Sequence, residues 1–273
     1  MQLGELHEFK RRMRAGGFHT VCEEARCPNR TECFSRGTAT FLINGRVCTR
    51  NCAYCSIAHG RPRAVDPDEP RQLAEASKRM GLEHVVITAV DRDDLPDGGA
   101  TGFVEAIRAL GELDPAPAIE VLTPDVRGDL GVVDRIIEAG PEVYNHNVET
   151  VPRLYREVRR SGRYEGALEV LRRVAEKAPG MIRKSGIMVG LGETGDEVIE
   201  VLGDLAAAGC QVVTIGQYLQ PTGEQIKVDR YWTPEEFAEL EEAGRAKGLE
   251  VFAGPFVRSS YRAEEAFLRV VKS

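Results

Sequence analysis

Six of the seven cysteines in this chain fall between Cys22 and Cys55. They form two groups of three, with the spacings C-x4-C-x5-C and C-x3-C-x2-C. The first group is Cys22, Cys27 and Cys33, and the second is Cys48, Cys52 and Cys55. The seventh, Cys210, lies alone in an apolar stretch and is predicted to be an inert buried thiol.

Three kinds of cysteine chemistry compete for these groups. Disulfides are disfavoured, because no secretory signal is visible and disulfides rarely persist in a reducing cytoplasm. Structural zinc sites use four ligands, usually as two close pairs, and neither group has that pattern. Iron–sulfur clusters are held by cysteine thiolates, and this is the interpretation we favour. Three thiolates leave the fourth iron of a cubane cluster open to a substrate or a cofactor.

Short β-rich apolar runs alternate with amphipathic helical stretches, which is typical of a parallel sheet covered by helices. The predicted strands are Ala39–Ile43, His84–Val90, Ala118–Leu122, Val143–Val148, Ile182–Val189 and Val212–Leu219. The predicted helices lie near 69–80, 101–111, 128–139, 163–178 and 196–208, with two more near 234–247 and 261–272. Six strand–helix units predict an α/β fold of the partial (β/α)6 barrel type.

The predicted barrel spans residues 36–220, between an N-terminal extension at 1–35 and a C-terminal extension at 221–273. Chemistry on such barrels collects at the carboxyl ends of the strands. The second cysteine group directly follows the first predicted strand and is therefore expected at that face. The N-terminal extension carries the first cysteine group and is expected to bring it to the same place.

Composition narrows the function classes. The chain has 273 residues, 42% of them apolar, which suffices for a sizeable core. Its net charge of −7 argues against a general nucleic-acid binder. No run of eighteen apolar residues is present, so neither a membrane span nor a membrane partner is expected. A cytoplasmic location is predicted.

The spacing of Cys48, Cys52 and Cys55 resembles the signature of the radical S-adenosylmethionine superfamily, and Tyr54 suits the same pattern. The resemblance implies a [4Fe–4S] cluster whose open iron binds the methionine part of S-adenosylmethionine. Reduction of that complex then yields a 5′-deoxyadenosyl radical.

A glycine-rich segment allows three interpretations. Residues 190–195 (GLGETG) fit the G-x-G-x-x-G fingerprint of dinucleotide-binding folds, but no acidic residue ends a following strand at the expected distance. The overlapping residues 186–193 (GIMVGLGE) resemble the adenine-contacting G-x-I-x-G-x-x-E of radical enzymes, with Met188 in place of isoleucine. We favour this interpretation. A turn that only joins a strand to a helix is the third possibility.

Seven segments together resemble the lipoyl synthase family over about residues 18 to 262. They are 19–29 (HTVCEEARCPN), 37–41 (GTATF), 90–99 (VDRDDLPDGG), 145–150 (NHNVET), 184–193 (KSGIMVGLGE), 216–222 (GQYLQPT) and 258–261 (RSSY). The resemblance implies a second, auxiliary [4Fe–4S] cluster held by the first cysteine group and by the oxygen of Ser259. From the sequence alone, a helix N-cap would be the ordinary role of that serine.

The implied reaction inserts two sulfur atoms from the auxiliary cluster at C6 and C8 of an octanoyl chain. That chain is carried on a lysine of a lipoyl carrier domain, either the E2 component of a 2-oxoacid dehydrogenase or the glycine cleavage H protein. Electrons would come from a ferredoxin or a flavodoxin. Because the C–H bonds of saturated carbons are not acidic enough for a general base to act on, no conventional catalytic residue is expected.

Polar side chains near strand ends are candidates for contacts with S-adenosylmethionine: Thr88, Asn147, Glu149 and Lys184. Local hydrogen bonding is their other possible role. A basic run could form a carrier-docking surface or simply a solvated helix face: Arg153, Arg156, Arg159, Arg160 and Arg163. Two alternatives to the whole interpretation are another radical enzyme with an auxiliary cluster and a non-catalytic iron–sulfur electron carrier.

Overall fold

The computed structural model describes Asn29, residues 39–261 and residues 263–272. The strands in this part of the chain are β1 (Ala39–Ile43), β2 (His84–Ala89), β3 (Ala118–Leu122), β4 (Val143–Asn145), β5 (Ile182–Val189), β6 (Val212–Gln217) and β7 (Glu250–Gly254). The helices are α1 (Glu69–Met80), α2 (Ala100–Gly111), α3 (Leu130–Glu138), α4 (Tyr155–Val158), α5 (Tyr164–Lys177), α6 (Gly195–Ala207), α7 (Pro234–Arg245) and α8 (Ala263–Lys272). The six predicted strands and seven predicted helices are all present, within a few residues of their predicted ends.

The described residues form two compact units. The first holds 39–50 and 57–142, and the second holds 51–56 and everything described from 143 onward. The predicted boundaries at residues 35 and 220 stay a prediction. Apart from Asn29, the predicted N-terminal extension lies outside the described residues.

In the first unit, β1, β2 and β3 form parallel pairs in chain order. Leu42, Thr88 and Leu122 lie side by side in the register, so the three strands end at nearly the same level. Val86 and Ile87 are fully buried although they point to opposite faces, as expected for a parallel sheet covered on both sides. The loops that follow these strands therefore emerge together.

In the second unit, β4 to β7 continue the same pattern of parallel pairs in chain order. Gly186 of β5 pairs with Thr214 of β6, which pairs with Phe252 of β7. Helices α6 and α7 each begin with a capping box, in which Thr194 or Thr233 binds the backbone amide of a glutamate three residues later. These caps fix where the chain turns from each preceding loop into its helix.

Strand β7 was not predicted from the sequence. It lies in the predicted C-terminal extension, where only helical patterns were recognised. The strand is five residues long, begins with Glu250 and ends with Gly254, and only Val251 is fully buried. Such a segment has too few apolar positions to show a strand period.

None of the helices in the described residues is both long enough and apolar enough to cross a membrane.

Candidate active site

Cys48 lies in the loop after β1 and is fixed by backbone contacts within the first unit. Its amide donates to the Ala58 carbonyl at 2.8 Å, and its carbonyl accepts from the Gly60 amide at 2.9 Å. The Arg50 amide points at the Cys48 sulfur from 3.4 Å. Burial raises the pKa of the Cys48 thiol. The thiol is thus held in place with an N–H directed at its sulfur, an arrangement that suits a metal-bound thiolate.

Cys52 and Cys55 lie in the second unit and flank a short turn. The Cys55 amide donates to the Cys52 carbonyl at 3.1 Å. Between them, the backbone of Ala53 bonds to Val158 and Ile226, each at 2.9 Å. Tyr54 packs against the apolar core of the second unit, which anchors the turn. Tyr54 therefore has a structural role in the turn between Cys52 and Cys55.

Arg50 is the centre of an ionic cluster in the first unit that the sequence analysis missed. Its guanidinium makes a bidentate contact with Asp93, at 2.8 and 2.9 Å, and an ion pair with Asp125. Asp91 lies 3.5 Å from its Nε. The Arg50 side chain is only 10% exposed, and its guanidinium holds the pKa of Asp93 below the usual range. The Arg50 cluster therefore anchors the loop that carries Cys48 to the segments that follow β2 and β3.

Ser259 follows β7 in a loop that packs closely on β5 and β6. A side chain at Gly216 would collide with the Val257 carbonyl oxygen, so the loop reaches β6 only because Gly216 has none. A Cβ at Gly186 would lie 2.7 Å from the Ser259 Oγ. Glycines in two predicted motifs therefore make the room that the serine occupies.

Three of the four candidate S-adenosylmethionine contacts lie at or just beyond the carboxyl end of a strand, and Lys184 is the exception. Thr88 is the penultimate residue of β2, and its hydroxyl donates to the Leu122 carbonyl at 2.9 Å. Lys184 is 1% exposed and lies near the start of β5, well before its carboxyl end. Asn147 and Glu149 follow β4, and their side chains are 3.2 Å apart. The structure brings this last pair together in the second unit.

Glu193 ends the glycine-rich segment and closes its loop. Its carboxylate accepts from the amides of Gly190 and Leu191 and, at 2.9 Å, from the Trp232 indole. These amides are therefore not available to a phosphate. This arrangement favours the radical-enzyme interpretation of residues 186–193 over the dinucleotide one.

The basic run does not form one exposed face. Arg159 is 6% exposed, and its guanidinium donates to the Asn147 carbonyl at 2.9 Å. Arg153 pairs with Glu197 at 2.7 Å. Four of the five arginines are exposed: Arg153, Arg156, Arg160 and Arg163.

The described residues include the kind of donor atom that an iron–sulfur cluster needs. Cys48 in the first unit and Cys52 and Cys55 in the second are half-buried cysteines, and cysteine sulfur is the usual ligand of such clusters. Within 39–261 and 263–272, no three His, Cys, Asp or Glu side chains surround a point suited to a single metal ion. Beside Gly186, the buried Oδ1 of Asn147 has no hydrogen-bond partner among the described residues, so one acceptor in the second unit is left unsatisfied.

Comparisons with protein families and curated relatives identify the family. The model of the radical SAM superfamily matches residues 42–205. Lipoyl synthase from Rubrobacter xylanophilus is 51% identical over 259 residues, covering 94% of this chain and 81% of the relative. The enzyme from Methylococcus capsulatus is 52% identical, with coverages of 96% and 82%.

Solved structures agree on the fold. Streptococcus suis SuiB bound to S-adenosylmethionine is 12% identical with a TM-score of 0.60, covering 83% of this chain and 53% of that one. Methylornithine synthase (PylB) is 17% identical with a TM-score of 0.60, covering 78% and 70%. HydG, a maturase of the [FeFe]-hydrogenase, is 16% identical with a TM-score of 0.62, covering 78% and 51%. This chain thus spans about half the length of SuiB and HydG. Together with the match to the radical SAM superfamily model, these likenesses confirm the predicted fold class, the α/β partial barrel of the radical SAM type.

The superfamily match covers more than half of the chain, and curated lipoyl synthases share about half of its residues over nearly its full length. This chain therefore belongs to the lipoyl synthase family of the radical S-adenosylmethionine superfamily.

Proposed function

We propose that this chain inserts two sulfur atoms, at C6 and C8, into an octanoyl chain that is amide-linked to a lysine of a lipoyl carrier protein. The observation that carries the proposal is the 51% identity to a curated lipoyl synthase over 94% of the chain. The half-buried cysteines after β1 support it, because they are the ligand type that such chemistry needs.

Two [4Fe–4S] clusters and S-adenosylmethionine are the cofactors that the family implies. We assign the radical-generating cluster to Cys48, Cys52 and Cys55. We assign the auxiliary cluster to Ser259 together with Cys22, Cys27 and Cys33, three cysteines that lie outside the described residues. When bound, these groups supply the hydrogen-abstracting radical and the sulfur.

The protein's own contribution is to place these groups. The Arg50 cluster holds the loop of Cys48, and the packed Tyr54 holds the turn of Cys52 and Cys55. Thr88, Asn147, Glu149 and Lys184 are proposed to bind polar groups of S-adenosylmethionine. No proton-transfer group is required, because the substrate carbons are saturated.

The partners follow from the same reaction. The proposed carriers are the E2 component of a 2-oxoacid dehydrogenase or the glycine cleavage H protein, and the proposed reductant is a ferredoxin or a flavodoxin. We propose the four exposed arginines of the run as a docking surface for an acidic carrier domain: Arg153, Arg156, Arg160 and Arg163. Reversing their charges should slow turnover of the carrier domain but not of a short octanoyl-lysyl peptide; equal slowing of both would refute docking there. A cytoplasmic location stays a prediction.

The deciding experiment is anaerobic reconstitution followed by reaction with an octanoyl-lysyl peptide, S-adenosylmethionine and a reductant. We expect about eight irons per chain, from two four-iron clusters. We also expect 5′-deoxyadenosine release and a peptide mass gain that corresponds to two sulfur atoms. Eight irons and 5′-deoxyadenosine without a mass gain would indicate a different radical enzyme. Bound iron without cleavage of S-adenosylmethionine would indicate an electron carrier.

A further inference from the structure

Among the described residues, one hydrogen bond determines how the Ser259 hydroxyl is oriented. The side-chain nitrogen Nδ2 of Asn147 lies 2.7 Å from it, across 112 residues of sequence. The same nitrogen lies 3.2 Å from the Oε1 of Glu149. Asn147 is 7% exposed, so the contact is largely shielded from water.

The orientation of the Asn147 amide follows from Glu149. An ionised carboxylate can only accept hydrogen bonds, so the Asn147 atom that faces it must be the NH2 group. One hydrogen of that group points to Glu149, and the other points to Ser259. Ser259 is therefore the acceptor in this contact, and its own hydrogen is not used by Asn147. A lone pair of the oxygen stays free for a metal.

Glu149 is itself held in an uncommon conformation. Its φ of 69° lies in the left-handed region, which non-glycine residues rarely adopt. Two backbone bonds to β5 keep it there: its amide donates to the Gly186 carbonyl at 3.0 Å, and the Met188 amide donates to its carbonyl at 2.9 Å. Strained residues that are held this firmly concentrate at functional sites.

We infer that Asn147, oriented by Glu149, is a positioning residue that presents the Ser259 oxygen to the auxiliary cluster. The inference rests on the proposed role of Ser259 as an iron ligand. Such outer partners typically change metal affinity by about 10- to 100-fold when they are removed. The Oδ1 of Asn147 remains free to contact S-adenosylmethionine, so the two roles of Asn147 are compatible.

The test measures iron release rather than catalysis. Full-length holoenzyme, reconstituted anaerobically and kept free of S-adenosylmethionine, is mixed with a ferrous chelator, and the release rate is followed. Asn147→Ala and Ser259→Ala should each release auxiliary-cluster iron roughly tenfold faster or more than the unchanged protein. The double variant should release it no faster than Ser259→Ala, because Asn147 acts through the serine.

Two further variants make the result specific. Thr214→Val is the matched control, because Thr214 Oγ1 also lies beside Gly186 but, among the described residues, bonds to the Ser185 carbonyl and not to Ser259. It should retain iron at the original rate. If Asn147→Ala does not fold, Glu149→Gln takes its place: a glutamine can donate as well as accept, so the Asn147 amide loses its fixed orientation. That variant should release iron faster than the unchanged protein.

The outcomes separate the inference from the proposal beneath it. Fast release from Ser259→Ala but not from Asn147→Ala or Glu149→Gln would overturn the inference and leave Ser259 as a ligand. Additive effects in the double variant, or fast release from Thr214→Val, would also overturn it. Release from Ser259→Ala at the rate of the unchanged protein would overturn both the inference about Asn147 and the assignment of Ser259 as a ligand. The peptide mass-gain assay tests the proposed reaction independently of these iron-release measurements.

Discussion

Replacing Gly186 with alanine is expected to displace Ser259 by a distance that the structure allows us to work out. The new Cβ would lie 2.7 Å from the Ser259 Oγ, 2.8 Å from the Asn147 Oδ1 and 2.9 Å from the Thr214 Oγ1. Close carbon–oxygen contacts in proteins are about 3.3–3.6 Å, so each oxygen must retreat by roughly 0.4–0.9 Å. Metal–ligand distances vary by only about 0.2 Å, so this shift suffices to weaken a serine–iron bond.

The same substitution should lower the free energy of unfolding of the metal-free protein by about 1–3 kcal/mol, the usual cost of overpacking. Gly223→Ala is the matched control, because nothing lies within 4 Å of its Cβ position. Denaturant unfolding measures the stability, and chelator-dependent iron release measures the ligand. Adding Ser259→Ala to Gly186→Ala should recover part of the lost stability, since one of the three clashes disappears. If Gly186→Ala equals Gly223→Ala in both measurements, the close packing around Ser259 is refuted.

Three further predictions concern other parts of the chain. Cys48→Ala should reduce the iron content by about four per chain, whereas Cys210→Ala, at the buried seventh cysteine, should leave it unchanged; equal iron loss from both would contradict the assignment. Arg50→Lys should lower the unfolding free energy of the metal-free protein by about 2 kcal/mol, because lysine cannot make the bidentate contact, and unchanged denaturation midpoints would argue against the Arg50 cluster. The hydrogen bond from Arg153 lowers the pKa of Glu197 to about 2. The Glu197 carboxylate therefore stabilises the folded chain fully above about pH 4.5, and this stabilisation is lost as the pH falls through about 2. The melting temperatures of the unchanged protein and Glu197→Gln should therefore converge between pH 5 and pH 2, and a constant difference would contradict the pairing.

Most elements of the fold were predictable because β-rich runs alternate with amphipathic helical stretches along the sequence. In β5, apolar and polar residues alternate little and both faces are buried. Its ends were nevertheless predicted to the residue. β7 was missed because it offers one fully buried apolar side chain in five residues. The strand is recognisable only through its pairing with β6, which a local pattern does not contain.

The site was predictable where spacing carries the chemistry, as in the second cysteine group. It was not predictable where distant residues meet. Arg50 and Asp125 are 75 residues apart, and nothing in the sequence around either one indicates the other. Asp91 and Asp93 were noted as part of a motif, but the arginine that they face was not identified. Arg159 was grouped with exposed arginines because charge alone does not reveal burial.

The contact between Asn147 and Ser259 also has a consequence for how the protein is made. Its two residues are separated by 112 positions, and synthesis at about 5–20 residues per second puts roughly ten seconds between their emergence. During that interval, every cysteine of both groups has already been translated, but the serine has not. An auxiliary cluster delivered to the growing chain in that interval would therefore lack its proposed serine ligand. If Ser259 is that ligand, the auxiliary cluster can be bound completely only after translation has passed Ser259.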